Sequence, residues 1–301
     1  MYGSCSSRFF RLMFWSCSTF GLGLSAAPGQ SQEFADQDTT SQAAAPAAGQ
    51  SASPADAATP APAADPNAAN NPLTPKITLN FHEYYIPQLE GVPDREANSF
   101  LFRGVIPHKT FGVGQLFRYT LPVVTTPTFP GGSKTGVGDL TLIDLVAMPF
   151  STKTAEFVVG PVLVLPTARD DLGAGKWQAG VSAVAIFPRK WGLMGAVATY
   201  QHSFAGDDDR PTAQSMTFQP LVIYNLPDAF YLRSSGTWSF DLERANDYVP
   251  VGFGFGKVWQ ASEVTTVNAF IEPQYTVWSN GIGMPKWQIL AGINLQFALN
   301  R

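Results

Sequence analysis

From residue 76 onward the side chains alternate between apolar and polar, a pattern that few folds can sustain over a whole domain. In the last such run Trp287, Ile289, Ala291, Ile293, Leu295 and Phe297 share one face, while Gln288, Gly292, Asn294 and Gln296 share the other. Successive strand residues point to opposite sides, so a period of two sets an apolar row against something oily and a polar row against something wet. The run before it opposes Val267, Ala269, Ile271, Tyr275 and Val277 to Thr266, Asn268, Glu272, Gln274 and Thr276. Further upstream, Val249, Val251, Phe253 and Phe255 oppose Gly252, Gly254 and Gly256. Phe230, Leu232, Trp238, Phe240 and Leu242 likewise oppose Arg233, Ser235, Thr237, Asp241 and Glu243.

Composition says what the oily phase is. The chain is 45% hydrophobic but only 14% charged, against roughly 25% charged in an ordinary soluble domain. No stretch beyond residue 25 approaches the ~18 apolar residues of a spanning helix. Only helices and closed barrels satisfy their backbone groups in lipid. The expectation is therefore an all-β, antiparallel, up-and-down transmembrane barrel of about twelve strands. The pattern places them near 76–86, 97–107, 110–121, 136–149, 154–166, 177–187, 191–204, 213–226, 229–242, 248–259, 263–276 and 286–297. Aromatics at the strand ends (Tyr84, Tyr85, Phe150, Trp177, Phe187, Trp191, Trp259 and Trp287) read as interfacial girdles.

The connections alternate. After even strands they read as tight turns: Pro107-His108-Lys109, Ser151-Thr152-Lys153, Pro188-Arg189-Lys190, Pro227-Asp228 and Gln260-Ala261-Ser262. After odd strands they read as long polar or glycine-rich loops at 87–96, 122–135, 167–176, 205–212 and 277–285, with only 243–247 short. Outer-membrane barrels keep short turns in the periplasm and long loops outside, and an even strand number leaves both termini periplasmic.

Residues 1–27 read as a secretory signal peptide, with Arg8 and Arg11 in the n-region, an apolar run from Leu12 to Leu24, and Ser25-Ala26-Ala27 for cleavage. Both cysteines, Cys5 and Cys17, fall inside it, so the mature chain has no disulfide. Residues 28–75 read as a disordered Ala/Pro-rich linker, since no aromatic or large aliphatic residue lies between Phe34 and Leu73. A periplasmic tether is the plain reading of that segment, and a plug in the barrel lumen the alternative. Residues 76–301 are then the barrel, in outer-membrane lipid and inserted by the barrel assembly machinery.

Several motifs carry a family resemblance. They are Gly160-Pro161-Val162-Leu163-Val164-Leu165-Pro166-Thr167-Ala168 and Gly173-Ala174-Gly175-Lys176-Trp177-Gln178-Ala179-Gly180. With them go His202-Ser203-Phe204-Ala205-Gly206-Asp207-Asp208-Asp209-Arg210-Pro211, Phe218-Gln219-Pro220, Gly136-Val137-Gly138-Asp139-Leu140 and the glycine run Val251–Lys257. Over about 73–301 the chain resembles the outer-membrane barrels grouped with meta-pathway phenol-degradation proteins, often labelled simply "transporter". The resemblance implies a barrel that passes small compounds, hydrophobic or aromatic ones among them. The long Ala/Pro segment and the ending Phe297-Ala298-Leu299-Asn300-Arg301 depart from that pattern.

Enzyme chemistry finds little support. His202 and Ser203 are neighbours in a strand and face opposite sides, so they cannot pair, and an envelope-lipid hydrolase is the least favoured reading. His108 sits in an expected turn, and His82 shares a face with Thr78 and Asn80, which puts it in the lumen. Gly173-Ala174-Gly175-Lys176 lacks the full phosphate-loop pattern. No cofactor and no metal is called for, and a net charge of −4 offers no basic face to nucleic acid.

The functional candidates are charges. Arg103, Arg118, Arg233, Asp241, Glu243 and Glu272 fall opposite apolar rows and should line the lumen as ion pairs or a selectivity constriction. Asp170, Asp171, Lys176, Asp207, Asp208, Asp209 and Arg210 should cluster on external loops. Eight strands are filled by side chains and sixteen leave a water channel, so twelve imply a narrow pore, widened locally by inward glycines. Passage of small solutes is the expected function, with a non-conducting structural or interaction barrel as the alternative.

Overall fold

The computed structural model describes residues 65–169 and 172–299. The expected signal peptide, and the expected linker as far as residue 64, lie outside the described residues. Fifteen strand segments make twelve antiparallel staves that close into a barrel. The first three staves are β1 (Ile77–Leu89), β2 (Ala97–Thr110) and β3 (Val113–Pro127); the fourth joins β4 (Ser133–Val137) to β5 (Leu140–Ala147). Then come β6 (Glu156–Leu165), β7 (Lys176–Arg189), β8 (Gly192–Gly206) and β9 (Gln214–Asn225). The ninth stave is β10 (Phe230–Ser234) with β11 (Trp238–Asp241), and the tenth is β12 (Asp247–Gly252) with β13 (Gly254–Gln260). β14 (Thr265–Asn280) and β15 (Pro285–Phe297) complete the ring.

Closure is by β1 against β15, where Ile77 pairs with Phe297 and Tyr84 with Leu290. The two ends of the barrel chain therefore leave from one end of the cylinder, called here the terminal end. The opposite end is the far end.

The alternation of the sequence is the alternation of the wall. Along β14, Thr266, Asn268, Phe270, Glu272 and Gln274 are buried, while Ile271, Pro273 and Tyr275 are exposed. Along β12 and β13, Gly252, Gly254 and Gly256 point in, and Val251, Phe253 and Phe255 point out, each more than half exposed. Large apolar side chains thus cover the outside of the cylinder, the inverse of a soluble protein. Aromatic rims bound this surface: Trp177, Tyr275 and Trp287 toward the far end, Phe150, Trp191 and Trp259 toward the terminal end. On β7, Trp177 and Phe187 mark the two rims, ~33 Å apart along the strand and ~25 Å apart along the axis once strands tilt by ~40°. That height suits the apolar core of an outer membrane. Tyr84, expected in a girdle, instead turns inward and packs on the buried cluster of Leu193, Ile223, Tyr231, Val258, Phe270 and Leu290.

All twelve strands lie where the alternation puts them, but the connections differ. The β2–β3 turn is Phe111-Gly112, with φ of 52° and 79°, and Pro107, His108 and Lys109 are ladder residues. A two-residue hairpin needs left-handed backbone, which glycine supplies and proline does not. At the far end the strands run on past their expected ends. β3 continues to Pro127 and pairs with Ser133, and β14 continues to Asn280, so the tips shrink to residues 128–132 and 281–284. The β-branched run Val123-Val124-Thr125-Thr126 suits a ladder better than a loop.

The inward glycines do not widen the bore. A Cβ on Gly256 would stand 2.4 Å from Tyr231 Cζ, on Gly252 2.4 Å from Glu272 Oε1, and on Gly292 2.4 Å from Phe270 Cζ. Each glycine is the seat of a large neighbour. Gly256→Ala should therefore lower barrel stability by about 1–3 kcal/mol, because fully buried Tyr231 has nowhere to move. Denaturant unfolding followed by tyrosine and tryptophan fluorescence checks this; an unchanged midpoint would mean the seat is loose.

Candidate functional site: the lumen and its plug

Residues 66–75, expected in the linker with a lumen plug as the alternative reading, lie inside the barrel as that alternative has it. Asp65 caps a short helix, α1 (Pro66–Asn70), by accepting the Asn67 N–H, and Pro66 opens the first turn. Ala69 is buried among Leu193, Ile223, Tyr231, Val258, Phe270 and Leu290. Leu73 crosses to the other side of the bore and is buried against Val105, Leu116, Leu145, Val158, Val184 and Ile186.

Asparagines fasten the segment to the wall. Asn67 donates to the Arg189 carbonyl (3.0 Å) and accepts from Asn225 Nδ2 (2.9 Å). Asn71 donates to Glu156 (3.1 Å), and Asn268 and Gln296 donate to the Ala69 carbonyl (3.3 and 2.9 Å). The terminal end of the lumen is therefore plugged by the chain's own segment.

Above the plug the lumen holds two chambers. The lower, of about 140 Å³, is bounded by Asn70, Asn71, Asn80, His82, Asn294 and Gln296. The far chamber, of about 240 Å³, is bounded mainly by hydroxyl and amide side chains, with Ile86, Leu101, Ile143, Val197 and Tyr248 as its apolar part. Tyr84, Arg103, Arg118, Val197 and Gln219 border both chambers and form the waist between them.

The charges divide into paired and unpaired sets. Arg233 Nε lies 2.7 Å from Glu272 Oε2, with the guanidinium 3.6 Å from the Phe270 ring centroid. Glu272 is fully buried and also accepts from Ser235 N, Ser235 Oγ and Gln274 Nε2. Arg103 and Arg118 reach the waist with no carboxylate within ion-pair distance among the described residues.

Asp241 is buried at the far rim, where it binds Arg244 (3.2 Å) and accepts the N–H groups of Glu243 and Arg244. Glu243, expected on the lumen wall, is an exposed turn residue at that rim. Its strand ends at Asp241, because the Asp241 carboxylate caps the turn that follows.

The expected external cluster is only partly described. Asp170 and Asp171 lie outside the described residues. Lys176 opens β7 opposite Gly206, and the Asp207 N–H donates to the Gly175 carbonyl (2.9 Å), so the loops carrying these motifs do touch. Arg210 is 3.8 Å from Asp207, while Asp208 and Asp209 are exposed. Among the described residues no group of three or more acidic, histidine or cysteine side chains could hold a metal ion. The signal that sequence reasoning missed here is Asp139, buried and accepting the N–H groups of Ala168 (3.2 Å) and Ala174 (2.5 Å), which ties down the loop after β6. The Gly138-Asp139 step that splits the fourth stave is its only trace in the sequence.

Among the histidines, His82 lines the lower chamber, and His108 binds Asp144 (2.9 Å) instead of standing free in a turn. His202 is exposed while Ser203 is buried and accepts from Ala213 N, so the two do not form a pair.

No protein-family model matches the sequence, and no curated protein matches it either. Solved structures do match in shape. The COG4313 outer membrane channel from Pseudomonas putida F1 aligns with a TM-score of 0.54 at 13% identity, over 74% of this chain and 96% of that one. The fold is that of an outer-membrane β-barrel. The NanC porin (TM-score 0.44, 12% identity, 74% of this chain and 100% of that one) and the KdgM porin in complex with disordered oligogalacturonate (0.39, 7%, 74% and 99%) align more loosely.

Proposed function

We propose that the chain is a narrow passive channel of a bacterial outer membrane for small polar solutes, with its termini and plug on the periplasmic side. The observation that carries this is the polar bore itself. Two adjoining chambers share the waist residues Arg103 and Arg118, and the lower one ends on the segment 66–75. A wall built only to fill a structural barrel would be lined throughout by apolar side chains, like those around Ala69 and Leu73. The far chamber instead presents hydroxyls and amides, which costs stability unless water or a solute meets them. That lining favours polar cargo over the hydrophobic or aromatic compounds that the family resemblance implies, and it gives no nucleophile–base pair for hydrolysis.

Proteoliposome swelling tests the reading. Small sugars and organic acids should enter, disaccharides should be strongly retarded, and neutral hydrophobic solutes should show no barrel-dependent uptake. Liposomes that swell no faster than empty ones, with both the full chain and a variant lacking residues 65–75, would leave the non-conducting barrel as the better account.

A further inference from the structure

Arg103 and Arg118 do more at the waist than narrow it. On the β2–β3 ladder Arg103 faces Thr120 and Arg118 faces Val105, so the two side chains enter the lumen from adjoining positions. Glu272, the carboxylate of the lumen network, is committed to Arg233 and Ser235. Buried Arg103 Nε has no hydrogen-bond partner. Its Nη1 stands 3.4 Å from His82 Nδ1, and His82 Nε2 stands 2.7 Å from Asn294 Oδ1. The tautomer that fits both contacts carries its proton on Nε2 and accepts on Nδ1, so His82 is neutral and adds no third charge. Two neighbouring cations in a low-dielectric bore are costly unless an anion joins them.

We propose that Arg103 and Arg118 form the carboxylate-binding floor of a site in the far chamber, which takes one small hydroxylated organic acid. A guanidinium fork matches a carboxylate with two parallel hydrogen bonds, and both arginines line the chamber with no carboxylate partner among the described residues. The wall specifies the rest of the ligand. Fourteen of the twenty lining residues carry a hydroxyl or side-chain amide, among them Ser182, Thr199, Gln201 and Thr217, and apart from the two arginines none is charged. A polyhydroxylated body can satisfy those groups, whereas a bare ring leaves them unpaired. The chamber of about 240 Å³ has room for one small acid. The site rests on the channel reading for how the acid reaches it.

Isothermal calorimetry on the full chain in detergent at low salt tests the site, with D-gluconate, D-glucose and benzoate as probes. Gluconate should bind saturably at one per barrel, and about tenfold or more tighter than either glucose or benzoate. Arg103→Gln and Arg118→Gln should each weaken gluconate about tenfold, and Arg118→Lys, which keeps the charge but not the fork, by less. Both Gln variants relieve like-charge repulsion, so their thermal midpoints without ligand should be at or above that of the wild type. Gluconate binding no tighter than glucose overturns the arginine floor, and so do Gln variants that bind like the wild type. Benzoate binding as tightly as gluconate overturns the hydroxylated body. The comparison of gluconate with glucose needs no variant, so it decides even if a substitution fails to fold. Binding without solute passage would sink the channel and leave the site; passage without gluconate binding would do the reverse.

Discussion

Replacing Asn67, Asn71 and Leu73 together with alanine is expected to raise the open probability of the full chain in planar bilayers by at least about tenfold. The wild type should show brief, infrequent openings to the same level. All three substitutions lie on the segment that fills the terminal end, so the barrel wall keeps its sequence. Asn67 and Asn71 bind Arg189, Asn225 and Glu156, and Leu73 is buried among six aliphatic side chains of the wall. Hydrogen bonds at a net ~1 kcal/mol each and ~2 kcal/mol for the leucine sum to roughly 4–5 kcal/mol. That shifts the closed–open equilibrium by about a thousandfold. Asn268 and Gln296 would still hold the Ala69 carbonyl, so some closures should persist. A folded triple variant with wild-type open probability would show that the segment does not obstruct the path.

The same segment marks where sequence reasoning stops. Judged alone, Asp65-Pro66-Asn67-Ala68-Ala69-Asn70-Asn71-Pro72 has no side chain large enough to build a core, and composition argues for disorder. The reasoning fails because the lumen supplies the partner. A segment that must bind the polar inside of a barrel needs small and amide side chains, and Asn67, Asn70 and Asn71 each make wall contacts. The Asp-Pro start was a legible helix cap, but a cap cannot say what a helix will lie against.

The barrel itself was legible because one face of each strand meets lipid and the other meets water. Arg103, Arg118, Arg233 and Glu272 could be placed inward from that period alone. Their partners could not: which arginine has a carboxylate depends on β10 and β14 flanking β13, where Gly254 lets Arg233 reach Glu272, a relation that no local pattern encodes. Glu243 shows the complementary failure. Carrying the alternation two residues past Asp241 overshoots the point where its carboxylate caps the turn.

Glu272→Ala should be the most damaging single change in the wall, costing about 3–5 kcal/mol of barrel stability. The carboxylate is fully buried, pairs with Arg233 at 2.7 Å and accepts from Ser235 and Gln274. Its loss leaves a buried cation and several donors without acceptors. Gly252 and Gly254 gave up their own side chains to seat this residue, so alanine also opens a void beside them. Replacing both partners, as Arg233→Met with Glu272→Leu, should recover most of the loss, because an apolar pair removes the unpaired charge along with the ion pair. Denaturant midpoints of the single and double variants measure the difference. A second readout separates charge from packing. Glu272→Ala leaves Arg233 as a third uncompensated cation near Arg103 and Arg118, so reversal potentials under a salt gradient should shift toward higher anion permeability, and the double variant should return them to the wild-type value. Unchanged reversal potentials in Glu272→Ala would mean that permeant ions do not pass within reach of Arg233, and that their path follows the Arg103 and Arg118 side of the waist.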